Sequence, residues 1–129
     1  MGSAGLNLLA GWVAMLAGAI SGAMIGLYFH REEWLGGYSS FPRRMVRLGH
    51  ISFWGLGLIN LLFALTVRAM ELSGMNVRVA SAAFILGLIT MPLCCFLTAW
   101  RKPFRHFFPI PVLSVAAGIV FLLLGWAAK

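Results

Sequence analysis

The run LGHISFWGLGLINLLFALTV, residues 48–67, decides the fold class of this protein. It holds 20 residues between Arg47 and Arg68, and His50 is its only titratable group. A helix needs about 20 predominantly apolar residues to cross the ~30 Å hydrocarbon core of a bilayer. The run is therefore long enough to span a membrane, and its polar residues His50 and Asn60 need a physical reason to lie there.

Three further runs share this length and character. They cover residues 6–29, 79–100 and 107–128, and none of them contains an acidic or basic side chain. The whole chain is 61% hydrophobic and 10% charged, whereas a typical soluble domain is about 25% charged. Only helices and closed barrels satisfy their backbone hydrogen bonds in lipid, and these runs lack the alternation of barrel strands. We therefore predict an all-α membrane protein with four transmembrane helices.

The four predicted helices form one integral membrane domain over residues 1–129. Their connections are short and carry glycine pairs, single glycines or prolines, which interrupt helices. Short connections favour antiparallel neighbours, so we predict an up-down-up-down four-helix bundle. The expected helices cover about 6–29, 45–68, 78–100 and 109–128.

The basic residues determine the predicted orientation. The chain has ten Lys and Arg residues against three acidic ones, a net charge of +7. The positive-inside rule places loops 30–47 and 101–106 in the cytoplasm and both termini on the non-cytoplasmic side of a bacterial-type inner (plasma) membrane. Such loops are expected to contact anionic lipid head groups rather than nucleic acid. Seven basic residues lie in or beside them: Arg31, Arg43, Arg44, Arg47, Arg101, Lys102 and Arg105.

Small residues recur every four positions in the first helix, at Ala14, Gly18, Gly22 and Gly26. Side chains four apart lie on one gently winding face of a helix, and small residues on that face let a second helix approach closely. The stripe predicts a helix-packing surface, whose partner is either another helix of this chain or a second subunit.

Asn60 lies near the middle of the second predicted helix. Its amide needs hydrogen-bond partners in lipid, and interhelical bonds of this kind contribute about 0.6–2 kcal/mol. We interpret Asn60 as a residue that joins helices, with Thr90 or Ser114 as the expected partners.

The side chains that could bind a cofactor or a metal ion gather in the predicted cytoplasmic half of the chain. Adjacent cysteines rarely pair with each other, because disulfide geometry needs well-separated Cα atoms, so free thiols are expected. The candidate imidazole ligands are His30, His50 and His106, and the candidate soft ligands are Met91, Cys94 and Cys95.

A b-type haem is one interpretation of the histidines. An imidazole on a membrane helix can bind haem iron, and a second histidine can complete the axial pair. His50 is the first candidate, and Gly57 on the same helix face would leave room for the macrocycle. However, His30 and His106 are predicted to lie nearer the membrane surface than His50.

A soft metal site is a second interpretation. Copper(I) and zinc favour thiolate and imidazole ligands, so His50 could combine with Cys94, Cys95 or Met91. The spacing of these residues matches no specific metal motif.

The favoured interpretation of the same residues is structural. His50 is predicted close enough to the membrane surface to bond water, a lipid phosphate, or Glu32 or Glu33, and buried cysteines pack as small apolar residues. Contact with a quinone or lipid is a further alternative. The chain shows no nucleophilic triad, phosphate-binding glycine loop or metalloprotease motif, so no catalytic site is predicted.

Three function classes stay open at this point. The first is a small integral membrane subunit of a larger assembly, with a respiratory or other redox complex as the expected host, acting through helix packing. The second is a membrane electron carrier that binds haem b or a metal. The third is a small oligomeric channel or carrier, although proton and ion pathways usually need ionisable residues inside the membrane and none lies at the centre of a predicted helix.

Overall fold

The computed structural model describes residues 2–129, which form four long α-helices and contain no strand. Each helix region is long and apolar enough to cross a membrane, which confirms the prediction of an all-helical membrane protein. The helices are α1 (Ser3–Phe29), α2 (Phe41–Ala69), α3 (Met75–Trp100) and α4 (Pro109–Ala127).

Helix α2 begins upstream of the predicted start at residue 45. The Ser40 side chain accepts a hydrogen bond from the backbone N–H of Arg43 at 3.3 Å, and Pro42 occupies the first turn. Serine is a preferred N-cap and proline is tolerated in the first turn. Capping chemistry therefore sets the beginning of this helix, whereas hydropathy located only its apolar part.

The three connections have different structures. The first contains a short 3₁₀ helix (Trp34–Gly36) and then turns through Gly36 and Gly37, whose φ angles are 86° and 101°. The second is a tight turn that ends at Gly74, with φ 98°. The third is a 3₁₀ helix (Lys102–Phe107) with Pro103 in its first turn, and α4 then begins at Pro109, since proline is tolerated in the first turn of a helix.

Consecutive helices pack against one another. In the first pair, Gly11 lies against Leu61 and Gly22 lies against His50. Helices α2 and α3 are central, α1 also contacts α3, and α4 packs mainly on α3. The four helices thus form a bundle whose outer members are α1 and α4.

The largest apolar cluster lies between α2 and α3, towards the end of the bundle that carries the chain termini. The rings of Phe63 and Phe84 are 5.2 Å apart at a tilt of 56°, and both are almost fully buried. Val67, Leu72 and Val77 complete the cluster at this end. Aromatic pairs in this geometry add to the gain from burial.

Candidate functional site

Three polar side chains meet inside the bundle where α1, α2 and α3 come together. Asn7 and Asn60 are fully buried and Ser81 nearly so. The Asn7 Nδ2 group donates to Asn60 Oδ1 at 2.7 Å and to the Ser81 carbonyl at 3.3 Å. The Ser81 hydroxyl donates in turn to Asn7 Oδ1. We call these three residues the amide cluster.

The asparagines of the amide cluster find all their hydrogen-bond partners inside the protein. The Asn60 Nδ2 group donates to the carbonyls of Leu56 at 2.9 Å and Phe84 at 3.4 Å. Both amide groups thus use their donors and acceptors within the protein. Because unpaired buried polar groups are costly in an apolar medium, this arrangement favours one register of the three helices over others.

The predicted partners of Asn60 were wrong. Thr90 donates to the Leu86 carbonyl at 2.7 Å and Ser114 donates to the Ile110 carbonyl at 2.8 Å. Each hydroxyl therefore bonds to the backbone carbonyl four residues earlier in its own helix, as serine and threonine commonly do. The actual partner, Asn7, was overlooked because it lies near the beginning of an apolar run. A lone amide in such a run is the signal that could have identified it.

The contact between α1 and α2 follows a different spacing from the predicted stripe. The buried residues of α1 are Asn7, Gly11, Ala14 and Gly18, and Ser21 continues the series. These alternating steps of four and three give the 3.5-residue period of a left-handed helix pair. Part of the predicted stripe, from Ala14 to Gly22, contacts α2 of the same chain. For these positions the partner is intrachain.

Glycine is required at several of these positions. A Cβ placed on Gly11 would lie 2.8 Å from the carbonyl oxygen of Gly57, and one on Gly18 would lie 2.7 Å from Trp54 Nε1. Gly26, by contrast, has nothing within 4 Å of such a Cβ. Each step of four residues turns about 40° past a full helical turn, so the stripe rotates away from α2 before it reaches Gly26. The prediction that Gly26 packs against a helix is therefore not met within this chain.

His50 lies in the contact between α1 and α2. Its Nδ1 is 3.1 Å from the Ser21 hydroxyl, which also donates to the Gly18 carbonyl at 3.0 Å. Its ring lies against Gly22, where an added Cβ would come within 2.6 Å of His50 Cε1. The expected contact of His50 with Glu32 or Glu33 is replaced by this bond to Ser21, which lies in the neighbouring helix α1.

The other candidate haem ligands do not approach His50. His30 and His106 are exposed in the connections at one end of the bundle. The space expected beside Gly57 is filled by α1, because a Cβ there would lie 3.1 Å from the Gly11 carbonyl oxygen and 3.2 Å from Ala14 Cβ. A macrocycle could not occupy that position without separating the two helices.

The soft ligands Cys94, Cys95 and Met91 pack in three different surroundings on α3. Cys94 and Cys95 are buried free thiols, as expected for adjacent cysteines. Cys95 packs near Gly49 of α2, whereas Cys94 lines an apolar groove with Phe104 and Phe107. Among residues 2–129, no group of three or more His, Cys, Asp or Glu side chains has the geometry to hold a metal ion. Met91 packs against the apolar core cluster around Leu56 and Leu88.

Arg43 forms a second polar centre, at the end of the bundle opposite the chain termini. Its side chain is only 1% exposed. It donates to the backbone carbonyls of Phe29 at 2.8 Å and of Arg31 and Glu32, each at 3.3 Å. These carbonyls lie at and just beyond the end of α1, where helices leave acceptors unsatisfied. Arg43 thus ties the end of α1 to the first turn of α2.

Aromatic rings enclose the Arg43 guanidinium. Its carbon lies 4.9 Å from the ring centre of Phe29, 5.5 Å from that of Trp34 and 5.2 Å from that of Tyr38. Arginine over an aromatic face is a favourable cation–π contact, stronger when desolvated. From the sequence, Arg43 is predicted only as one of several loop cations. The aromatic residues that precede it, Phe29 at the end of α1 and Trp34 and Tyr38 in the first connection, are the signal that could have identified it.

No known protein family, curated protein or solved structure matches this chain.

Proposed function

We propose that this protein is a small integral membrane subunit of a larger assembly and acts by packing its outer helix α4 against partner subunits. The observation that carries the proposal is the surface of α4. Of its 19 residues, this helix buries only Pro111, Gly118 and Gly125, which lie seven residues apart. Val115, Phe121 and Leu122 also pack partly against the apolar core. The opposite face, with Val112, Ile119 and Leu123, is exposed to lipid or to a partner helix.

The interior of the bundle supports the same proposal. The amide cluster uses its hydrogen-bonding groups inside the chain, and His50 bonds to Ser21. Polar groups that satisfy one another stabilise helix packing, whereas a transport pathway needs polar groups that face a cavity. The proposed role is therefore architectural rather than that of a transport pathway.

The proposed orientation places the basic connections in the cytoplasm and both termini outside it, in an up-down-up-down topology. It rests on the positive-inside rule. Single-cysteine variants Ser39→Cys and Ser73→Cys, made in a background with Cys94 and Cys95 replaced by serine, would test it. With a membrane-impermeant maleimide on intact cells, we expect labelling at position 73 and none at position 39 until the cells are lysed. The opposite pattern would reverse the orientation.

Affinity purification at native expression level, in a mild detergent, would test the subunit role. We expect defined partner proteins in stoichiometric amounts. Ile119→Trp on the exposed face of α4 should weaken that capture, whereas Ile20→Trp on the exposed face of α1 is the matched control on the other outer helix. Loss of partners with both variants would extend the proposed interface from α4 to α1. A chain that purifies alone or only with itself would contradict the proposal.

An absorption spectrum of the same sample, oxidised and then reduced with dithionite, would test the proposed redox host. Haem bands that remain in the His50→Ala variant would belong to a partner and support a respiratory or other redox assembly. Haem bands that disappear in this variant, with the protein still folded, would instead favour the electron-carrier alternative. A symmetric oligomer that leaks ions in liposomes would favour the channel alternative.

A further inference from the structure

A groove of about 300 Å³ lies beside α1 at the end of the bundle that carries the basic connections. This size is at the lower limit of ordinary ligand pockets. The groove is open to the side, where lipid surrounds the bundle. Its lining includes Ser21, Met24, Tyr28, Trp34, Val46 and Phe96; we call it the α1 groove.

The lining changes in character along the axis of α1. Met24, Val46 and Phe96 form its apolar floor, and Tyr28 and Trp34 close its end nearest the first connection. Their rings are stacked, with centres 5.7 Å apart at 15°. The distance from Ser21 to Tyr28 along the helix is about 10 Å. The groove thus runs from the depth of acyl chains to the level where amphipathic rings usually lie in a membrane.

Positive charge lies at the aromatic end of the groove. The Arg31 guanidinium lies 5.5 Å from the Tyr28 ring centre, and the Arg43 guanidinium lies 5.5 Å from the Trp34 ring centre. The Nε of Arg43 is buried and has no hydrogen-bond partner among residues 2–129. Glu32 and Glu33 are the acidic residues nearby, and both side chains are exposed. The groove therefore presents cations first, then amphipathic rings and then an apolar floor. This order matches the phosphate, the glycerol ester and the acyl chain of a phospholipid.

We propose that the α1 groove binds one anionic phospholipid of the surrounding leaflet, with an acyl chain on the apolar floor and the phosphate group at Arg31. The choice of an anionic lipid rests on charge complementarity, since seven basic and only two acidic residues lie in or beside the two connections at this end of the bundle. Anionic head groups attract such residues near the membrane surface. The site does not require any partner protein and is thus independent of the proposed subunit role.

Native mass spectrometry of the full chain, released from nanodiscs of equimolar phosphatidylglycerol and phosphatidylcholine with identical acyl chains, would test the site. We expect one phosphatidylglycerol to be retained in preference to phosphatidylcholine. Arg31→Gln should lower this preference about five-fold, the change expected from losing one cation near a head group. Arg44→Gln is the matched control, because it removes the same charge from an exposed position in the same region.

A second pair of variants separates the groove from the general charge of the loops. Met24→Trp would fill the groove, and its side chain is 60% exposed, so the larger residue need not disturb the core. Leu27→Trp is the control on the same helix, at a position that is 72% exposed and outside the lining. We expect the retained lipid to be lost in Met24→Trp and kept in Leu27→Trp.

Three outcomes would overturn the proposal. Equal retention of the two lipids would show no anionic selectivity. Equal losses in Arg31→Gln and Arg44→Gln would show diffuse attraction instead of a site. Unchanged retention in Met24→Trp, with its fold verified by circular dichroism, would place the lipid elsewhere on the protein.

Discussion

The α1–α2 hairpin and the α3–α4 hairpin both rely on glycine, but in different ways. In the first, Gly11 and Gly57 bring two backbones together, and the hydrogen bond between Ser21 and His50 and the amide cluster cross the contact. In the second, Gly87 and Gly118 make room for side chains, since an added Cβ would lie 2.6 Å from Val115 Cγ2 and 2.8 Å from the Phe84 ring. The first contact is therefore polar and close, whereas the second is apolar and interlocking.

The connections of the two hairpins also differ, because hydrogen bonds from a side chain hold the first. Arg43 holds the first connection by three hydrogen bonds to backbone carbonyls. In the second hairpin, the 3₁₀ helix Lys102–Phe107 connects α3 to α4 directly, and Arg101 stacks on Trp100, 4.6 Å from its ring centre. The comparison shows that directional bonds determine the geometry of the first hairpin, while shape determines that of the second.

The largest effect is expected at Arg43. Arg43→Ala would leave three carbonyls without their donor, and hydrogen bonds to charged groups contribute about 1.5–3 kcal/mol each. Two of the three bonds are long, at 3.3 Å, and the residues that carry the carbonyls are exposed, so we expect less than the full sum, a loss of about 3–4 kcal/mol in the free energy of unfolding. The loss is measured by circular dichroism as the SDS fraction in mixed micelles increases. The adjacent exposed residue provides the control, since Arg44→Ala should change stability by less than about 0.5 kcal/mol. Equal effects of the two substitutions would remove the distinction between the hairpins at their connections.

A smaller loss is expected for Gly11→Ala. Its new methyl group would meet the Gly57 carbonyl oxygen, which belongs to a helix backbone and cannot rotate away. Overpacking costs about 1–3 kcal/mol, and we expect the upper part of this range in the same unfolding assay. Gly26→Ala, where the space is open, should be neutral or slightly stabilising. A neutral Gly11→Ala would indicate that the two backbones are farther apart than described.

The corresponding test in the second hairpin is Gly118→Ala. The methyl group would meet the ring of Phe84, a side chain that is 2% exposed. Because a side chain adjusts more easily than a helix backbone, we expect a loss of about 1–2 kcal/mol. Gly125→Ala is the control on the same face, because its nearest neighbours are 3.5 Å away. A loss for Gly118→Ala larger than that for Gly11→Ala would reverse the ranking of the two contacts.

The smallest effect is expected for the coupling between Asn7 and Asn60. A double-mutant cycle with Asn7→Leu and Asn60→Leu isolates their mutual contribution. Interhelical hydrogen bonds in membrane proteins give about 0.6 kcal/mol on average and up to about 1.7 kcal/mol, and we expect a coupling in this range. The pair Thr90→Val and Ser114→Ala should show none, because each hydroxyl bonds within its own helix. Zero coupling between the asparagines would mean that their hydrogen bond does not stabilise the first hairpin and that packing alone determines its geometry.

The parts of the candidate site that the sequence could predict were those with a local cause. Free thiols at Cys94 and Cys95 follow from adjacency. Asn60 was identified because an amide in lipid needs partners, but those partners were assigned wrongly, since a single helix pattern does not tell which neighbour supplies them. The four-residue stripe failed at Gly26 because the winding of a helix relative to its partner depends on how the two cross.

The sequence by itself determined the number of helices, their approximate bounds and the need for a membrane. These follow from the length of uncharged runs and from the cost of exposing a peptide backbone to lipid. Only the tertiary structure decided that Asn7 meets Asn60 and Ser81, that Ser21 meets His50, and that Arg43 closes the end of α1. Each of these contacts joins residues from different segments, and their geometry depends on how the helices pack rather than on any single run of residues.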